Sequence, residues 1–321
     1  MASGEALEKT EKGSTIHVIG AGLAGLSLAR ELLERGYSVR VVETRDRIGG
    51  ISILDPEASE LIEKLGSEIS VSLQSTATRL RERVAIISST GVEGVARGVS
   101  ATGFRVASPI ELGIVGDRPA GVYPFHAALD LLIAGLSPGR VIAIYGANRY
   151  SLLLAEKLAQ HGRKIYVISP NPVRSKKDLE ILVGRVRSLK GSQRLSEIRL
   201  DNNTIKADTL VIAIFKPWNP FPELPPAGHA SLEIYDTKAL LEASRLLAIN
   251  LGCEEQASRR IKVQGAIQVF PEILTPCLRE LLIVKPGGGE VWVGDRSYSI
   301  EGDYAVIRIP GDSEPLVVRG S

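Results

Sequence analysis

Residues 16–50 read IHVIGAGLAGLSLARELLERGYSVRVVETRDRIGG, and this stretch limits what the chain can fold into more than any other. A short apolar run at 16–19 reads as a buried parallel strand. It stops at Gly20, and Gly20, Gly22 and Gly25 follow at G-x-G-x-x-G spacing. Leu26, Ala29, Leu32 and Leu33 then recur at helical spacing, and Gly36 stands where a helix would be capped. A second strand, 38–43, ends on Glu43. Together these make a β-α-β unit of about 30 residues.

Each glycine has its own physical task. Gly20 makes the tight turn, Gly22 lets a pyrophosphate reach the backbone, and Gly25 lets helix and strand pack closely. The first helical turn, from Leu23 and Ala24, offers free N–H groups and the positive end of the helix dipole to phosphates. Glu43, with Thr44 beside it, is placed to take both ribose hydroxyls. A carboxylate there repels a 2′-phosphate, so the pattern points to FAD or NAD rather than NADP. The pair Gly49–Gly50 follows closely, either as an ordinary turn or as a continuation of the same binding loop.

Composition narrows the remainder. The chain has 321 residues and 39 basic against 37 acidic side chains, for a formal charge of +2. That balance gives no support for a nucleic-acid-binding surface. No apolar run approaches the roughly 20 residues that span a bilayer. The opening MASGEALEKTEKG is charged and lacks the apolar centre of a secretion signal, so 1–13 is expected as a solvated tail of a cytoplasmic protein. The two cysteines, Cys253 and Cys277, form no C-x-x-C pair and have no metal-ligand spacing. They are expected as reduced, mostly buried thiols, with no metal site. The scarcity of Met and Cys fits a thermophilic source.

Further along, Asp55 and Pro56 open a helix expected to stop at Gly66. RVAIISSTGVEGVARGVSATGFR reads as a β-meander turning at Gly91–Gly94 and ending in Ala101-Thr102-Gly103. From Asp117 the chain reads DRPAGVYPFHAALDLLIAGLSPGRVIAIYGANRYSLLLAEKLAQHGRKIYVISPNP, a second strand–helix–strand over 140–169. Over roughly residues 14–215 the chain resembles FAD/NAD(P)-dependent oxidoreductases of the pyridine nucleotide-disulphide reductase superfamily. Within it, the chain is similar to FAD subunits of multi-subunit dye-linked dehydrogenases, relatives of hydrogen cyanide synthase, sarcosine oxidase alpha and proline dehydrogenase.

The resemblance implies an α/β fold of two Rossmann-like units, the second inserted into the first. An FAD-binding domain would comprise 14–135 and 206–321, and an inserted NAD(P)-binding-like domain 136–205. It implies FAD as cofactor, with Gly49 and Gly50 running along it and Ala101, Thr102 and Gly103 lying against it where the chain leaves the domain. Gly294–Asp295 would return to the flavin, or else make a β-turn, since strands rather than a long helix follow it. In the second unit, Gly146, Asn148, Arg149, Ser169 and Arg174 occupy the nucleotide positions. Two departures stand out. Asn148 and Ser151 replace the second and third glycines, and Ser169 replaces the acid that would hold an NAD ribose. NAD(P)H binding there is therefore open, and a retained structural domain or another nucleotide is an alternative.

The lack of C-x-x-C argues against disulphide reductase chemistry. No catalytic residue can be named: His17 lies inside a strand and His126 opens a helix. Three functions follow from the resemblance. The first is a flavoprotein subunit that passes electrons within a dehydrogenase complex or homo-oligomer. The others are a stand-alone NAD(P)H-dependent flavin oxidoreductase and a non-catalytic nucleotide-binding scaffold.

Overall fold

The computed structural model describes residues 15–173, 179–255, 257–309 and 316–320; the tail expected at 1–13 lies outside them. The helices are α1 (Leu23–Glu34), α2 (Pro56–Glu68), α3 (Phe125–Ile133), α4 (Arg149–Gln160) and α5 (Thr237–Leu251). The chain divides into two compact units. One holds the described residues up to Gly50, then Glu57–Gly103, and the chain from Pro217 onward; the other holds Ile51–Pro56 and Phe104–Lys216. The second unit is thus inserted into the first, with wider limits than 136–205.

In the first unit, β1 (Ile16–Ile19) is buried at all four residues and pairs in parallel with β2 (Val39–Val42) on one side. On its other side it pairs in parallel with the strand Gly98–Ser100. A fourth strand, β3 (Val71–Ser72), extends the β2 edge, giving the order β3, β2, β1, Gly98–Ser100. A further segment continues the sheet: Ser100 bridges Pro226 in parallel, and the Ala227 N–H donates to Ser100 O at 2.8 Å. All-parallel pairing needs cover on both faces. On one face α1 buries Leu26, Leu28, Ala29 and Leu32, the three leucines each contributing about 1.5–3 kcal/mol of apolar burial. Leu33, part of the apolar spacing in the sequence, is 43 % exposed. α5 packs against α1, and Ser244 Oγ donates to Ala24 O at 3.1 Å.

A three-stranded antiparallel meander, Thr76–Leu80, Arg83–Ser88 and Gly91–Gly94, packs Val84 and Ile86 onto Ile19 and Val42. Gly91–Gly94 is therefore a strand, and the turn falls one step earlier, where Ser88 Oγ accepts from Thr90 N–H. α2 runs through Gly66 to Glu68 rather than stopping there. A Cβ on Gly66 would overlap Ile48 Cδ1, so this glycine serves packing and not termination. His17 is held as a strand residue: its Nε2 lies 3.2 Å from Glu93 Oε1, and Glu93 also pairs with Arg40 of β2.

After α5 the regular elements among the described residues are all β-strands. Gly289–Val293 and Arg296–Ile300 form a hairpin in a sheet with Val317–Gly320 and Lys262–Gln264. Gln268–Phe270, Glu280–Val284 and Tyr304–Arg308 form another. The two cysteines are not reduced thiols: Cys253, just past α5, is disulfide-bonded to Cys277, with Cα atoms 5.6 Å apart. A separation of 24 residues in sequence carries no sign of this proximity, which the end of α5 and the loop before Glu280–Val284 create.

The inserted unit carries a five-stranded parallel sheet in the order Val122–Pro124, Thr209–Ile212, Val141–Tyr145, Lys164–Ser169, Glu180–Val183. Thr209–Ile212 lies second in this sheet, between Val122–Pro124 and the central strand Val141–Tyr145. Its neighbour sheet, built on the hairpin of Glu197–Leu200 and Thr204–Lys206, shares a core of Ile114, Ala143, Ile168, Leu189, Ile198 and Leu210 with it. No helix among the described residues is long and apolar enough to cross a membrane.

Candidate functional site

The site lies at the C-terminal ends of the parallel strands in the first unit, where such sheets bind ligands at the point of reversed strand order. Gly20 follows β1 with φ +111°, and a Cβ on it would overlap the carbonyl oxygen of Ala101. A Cβ on Gly25 would overlap Gly20 O and lie 3.3 Å from Ala101 Cβ. These two glycines are required by the protein's own packing.

Gly22 differs. Its φ of −74° and ψ of 177° suit any residue, and a Cβ there would meet nothing within 4 Å. Neither conformation nor packing calls for glycine, so the space in front of Gly22 is what the residue keeps clear. Gly22 is also the N-cap of α1, where no side chain accepts from the first turn and no acidic residue offsets the dipole. Uncapped N–H groups beside an open approach fit a phosphate. Gly49 lies against this loop: it bridges Gly22 in parallel, and its N–H donates to Ala21 O at 2.8 Å. Gly50, with φ +57°, lies next to it, and a Cβ there would come 3.8 Å from Gly22 Cα.

Glu43 ends β2 with its carboxylate already engaged on the loop. Oε2 accepts from the Ala21 N–H and Oε1 from the Arg45 N–H, both at 2.9 Å. Two ionised acceptor oxygens have further lone pairs, so this carboxylate can fix the glycine loop and still accept from a hydroxyl. Thr44 beside it is exposed. On the other side of β1, the Ala101 N–H donates to Ile19 O at 2.8 Å, which presses the small Ala101 side chain against the glycine loop. Thr102 is exposed, its Oγ1 donating to Trp218 O at 3.3 Å, and Gly103 has φ +81°.

Gly294 and Asp295 make the two-residue turn of the hairpin Gly289–Val293/Arg296–Ile300, the β-turn that the sequence also allowed, on a sheet that shares no strand with the parallel one. A passage from strand to helix lies earlier, at Gly228, His229 and Ala230. Gly228 has φ +54°, and a Cβ on it would overlap Ala24 Cβ in the first turn of α1. His229 is buried and its Nε2 donates to Ile234 O at 2.8 Å; burial pulls its pKa down to about 4, so the ring is neutral. Pro225 and Pro226 conceal this sheet segment in the sequence, because proline lowers any strand reading. The signal that was there is Gly228 a few residues before the helical pattern of α5.

The second glycine loop, in the inserted unit, is closed by its own side chains. Gly146 makes the turn at φ +116°. Asn148 caps α4: its Oδ1 accepts from the Ser151 N–H at 3.0 Å, Ser151 Oγ accepts from the Asn148 N–H at 2.8 Å, and Asn148 Nδ2 donates to Ala213 O at 2.8 Å. Arg149 Nε pairs with the buried Asp55 Oδ2 at 2.6 Å. Ser169 is buried, and Arg174 lies outside the described residues. His126, within α3, meets the rings of Phe125 and Phe215 edge-on. Among the described residues no cluster of His, Cys, Asp and Glu could hold a metal ion.

Residues 18–72 match the family described as "NAD(P)-binding Rossmann-like domain". The chain is similar to a probable UDP-galactopyranose mutase of Klebsiella pneumoniae, 39 % identical over 56 residues, 17 % of this chain and 15 % of the mutase. It is also similar to coproporphyrinogen III oxidase of Propionibacterium freudenreichii, 29 % identical over 139 residues, 40 % of this chain and 26 % of the oxidase. The matched parts thus span about a quarter or less of these relatives. Among solved structures, L-proline dehydrogenase from P. horikoshii shares the fold at a TM-score of 0.55 and 17 % identity, over 75 % of this chain and 55 % of that one. Residues 18–72 are therefore similar to the NAD(P)-binding Rossmann-like domain, in a chain whose fold is shared with L-proline dehydrogenase.

Proposed function

We propose that the chain is an FAD-dependent oxidoreductase, acting as an electron-transferring flavoprotein subunit of a dehydrogenase complex. The observation that carries this reading is Gly22, a glycine that neither backbone nor packing requires, at the uncapped start of α1. Gly20 and Gly25 shape the loop, Leu23, Ala24 and Gly25 present N–H groups to a pyrophosphate, and Glu43 with Thr44 receives the ribose. Gly49, Gly50, Ala101, Thr102 and Gly103 form its walls, and the Gly228–His229 turn closes on Ala24 at the start of α1. Bound flavin would supply hydride and single-electron chemistry, and the protein would bind it, orient it and exclude water.

The closed second loop supports a subunit over an NAD(P)H-dependent flavin oxidoreductase. Asn148 and Ser151 satisfy each other's N–H groups where a second pyrophosphate would need them, and Arg149 is committed to Asp55. Disulphide reductase chemistry is disfavoured because the cysteines lie 24 apart and bond to each other past the end of α5. The visible spectrum of the purified protein tests the proposal, before and after NADH or NADPH is added anaerobically. Flavin that remains oxidised with either nucleotide is the expected result. Bleaching would move the function to a stand-alone NAD(P)H oxidoreductase, and failure to take up supplied FAD would leave a nucleotide-binding scaffold.

A further inference from the structure

The sheet order fixes which way a bound dinucleotide must run. Glu43 stands on the β2 side of the glycine loop, and Ala101, Thr102 and Gly103 stand on the opposite side, past Gly98–Ser100. With a ribose at Glu43 and the pyrophosphate at Gly22, the other half of the ligand extends over 101–103. Trp218 lies at that end. Its backbone oxygen accepts from Thr102 Oγ1 at 3.3 Å, and Thr102 N would lie 3.5 Å from a Cβ on Gly20. Thr102, which follows the Ala101 that packs on Gly20, thus holds Trp218 by one hydrogen bond at the edge of the loop.

The segment that carries Trp218 is fixed. Pro217 and Pro220 flank it, Asn219 Nδ2 donates to Leu224 O at 2.9 Å, and the Phe221 N–H donates to Asn219 Oδ1 at 3.0 Å. Phe221 and Leu224 are buried in the core beneath the meander. Yet Trp218 is 51 % exposed. A large apolar ring held half in water on an anchored loop has area to lose to a planar partner.

We propose that Trp218 is the aromatic contact for the non-adenine ring of the bound dinucleotide, isoalloxazine in the reading above, on which this inference rests. Phosphate and ribose contacts fix the adenosine half, and Trp218 selects for a planar ring on the other half. Base–aromatic contacts of this kind change affinity by about tenfold or more when the aromatic is removed.

FAD and ADP titrations separate the two halves, since ADP lacks the second ring. The expected result is that Trp218→Ala weakens FAD about tenfold, leaves ADP affinity unchanged, and that Trp218→Phe restores most of the loss. In a Trp292→Phe background, which leaves Trp218 as the single tryptophan, FAD should quench the emission far more than ADP. Equal FAD affinity in wild type and Trp218→Ala would overturn the proposal, as would equal losses of FAD and ADP with circular dichroism unchanged. Wild-type protein that binds ADP but not FAD would instead remove the FAD reading itself.

Discussion

A Cβ on Gly25 would overlap the carbonyl oxygen of Gly20, so the start of α1 and the end of β1 touch backbone to backbone. The same loop contains Gly22, whose Cβ would touch nothing. One motif thus divides into residues that the fold requires and one that a ligand requires.

Substituting these glycines should separate the two roles. Gly25→Ala forces backbone apart in a close-packed region and is expected to cost about 1–3 kcal/mol, seen as a lower Tm in the absence of ligand. Gly22→Ala should leave that Tm within error while ADP and FAD affinities fall at least tenfold. A Gly22→Ala protein that binds both normally would remove the phosphate role of this loop.

Glu43 holds the loop through Ala21 and Arg45, and hydrogen bonds to charged groups contribute about 1.5–3 kcal/mol each. Glu43→Ala should therefore weaken ADP binding by more than the loss of a ribose contact alone. Hydrogen exchange reads the cause directly: the Ala21 and Arg45 amides should exchange faster in the variant.

The Cys253–Cys277 bond closes a loop of about 25 residues, for which chain entropy gives about 3 kcal/mol. Reduction, or the Cys253→Ser and Cys277→Ser pair, should lower the denaturant midpoint accordingly. ADP affinity should not change, because the bond joins the far end of α5 to the C-terminal β region. A midpoint that reduction leaves unmoved would show that the bond adds nothing to stability.

His229 titrates near 6.5 when free and at about 4 in the fold, where burial disfavours the charged ring. The folded pKa is the depressed one, so its stabilisation is complete above pH 6.5 and is lost as the pH falls toward 4. The loss amounts to about 3 kcal/mol. Thermal melts between pH 7 and pH 4 should show this decline, and His229→Asn should flatten it. An unchanged slope in the variant would assign the acid sensitivity to other groups.

Asn148→Ala removes a helix cap and should cost about 0.5–2 kcal/mol. FAD uptake by the first unit should not change. Equilibrium dialysis of Gly22→Asp protein, in which a carboxylate blocks the first loop, isolates the second. No saturable NADH or NADPH binding is expected, and micromolar binding would reopen the inserted unit as a nicotinamide site.

Local pattern carried the first Rossmann unit because every signal there is short-range. Apolar strand, glycine spacing, helical period and terminal acid all fall within residues 16–50, and the strands and helix formed at those places. The strand Lys164–Ser169, closing the strand–helix–strand over 140–169, was legible for the same reason. What failed was long-range. The sheet segment at Pro225–Ala227 has no strand signature of its own, and only its position beside Ser100 makes it one. For Gly294–Asp295 the sequence left a cofactor contact and a β-turn open, and the turn formed; two residues do not encode which sheet they join.

The strand–helix–strand unit, the glycine loop with its acid and the altered second loop are all written in residues a few positions apart. It took the packed fold to bring Gly228 against α1, to bond Cys253 to Cys277 and to set Trp218 beside Thr102. Those pairings join residues from 24 to more than 200 positions apart, and they exist because burial of the sheet and of α1 brings them together, which no local preference can express.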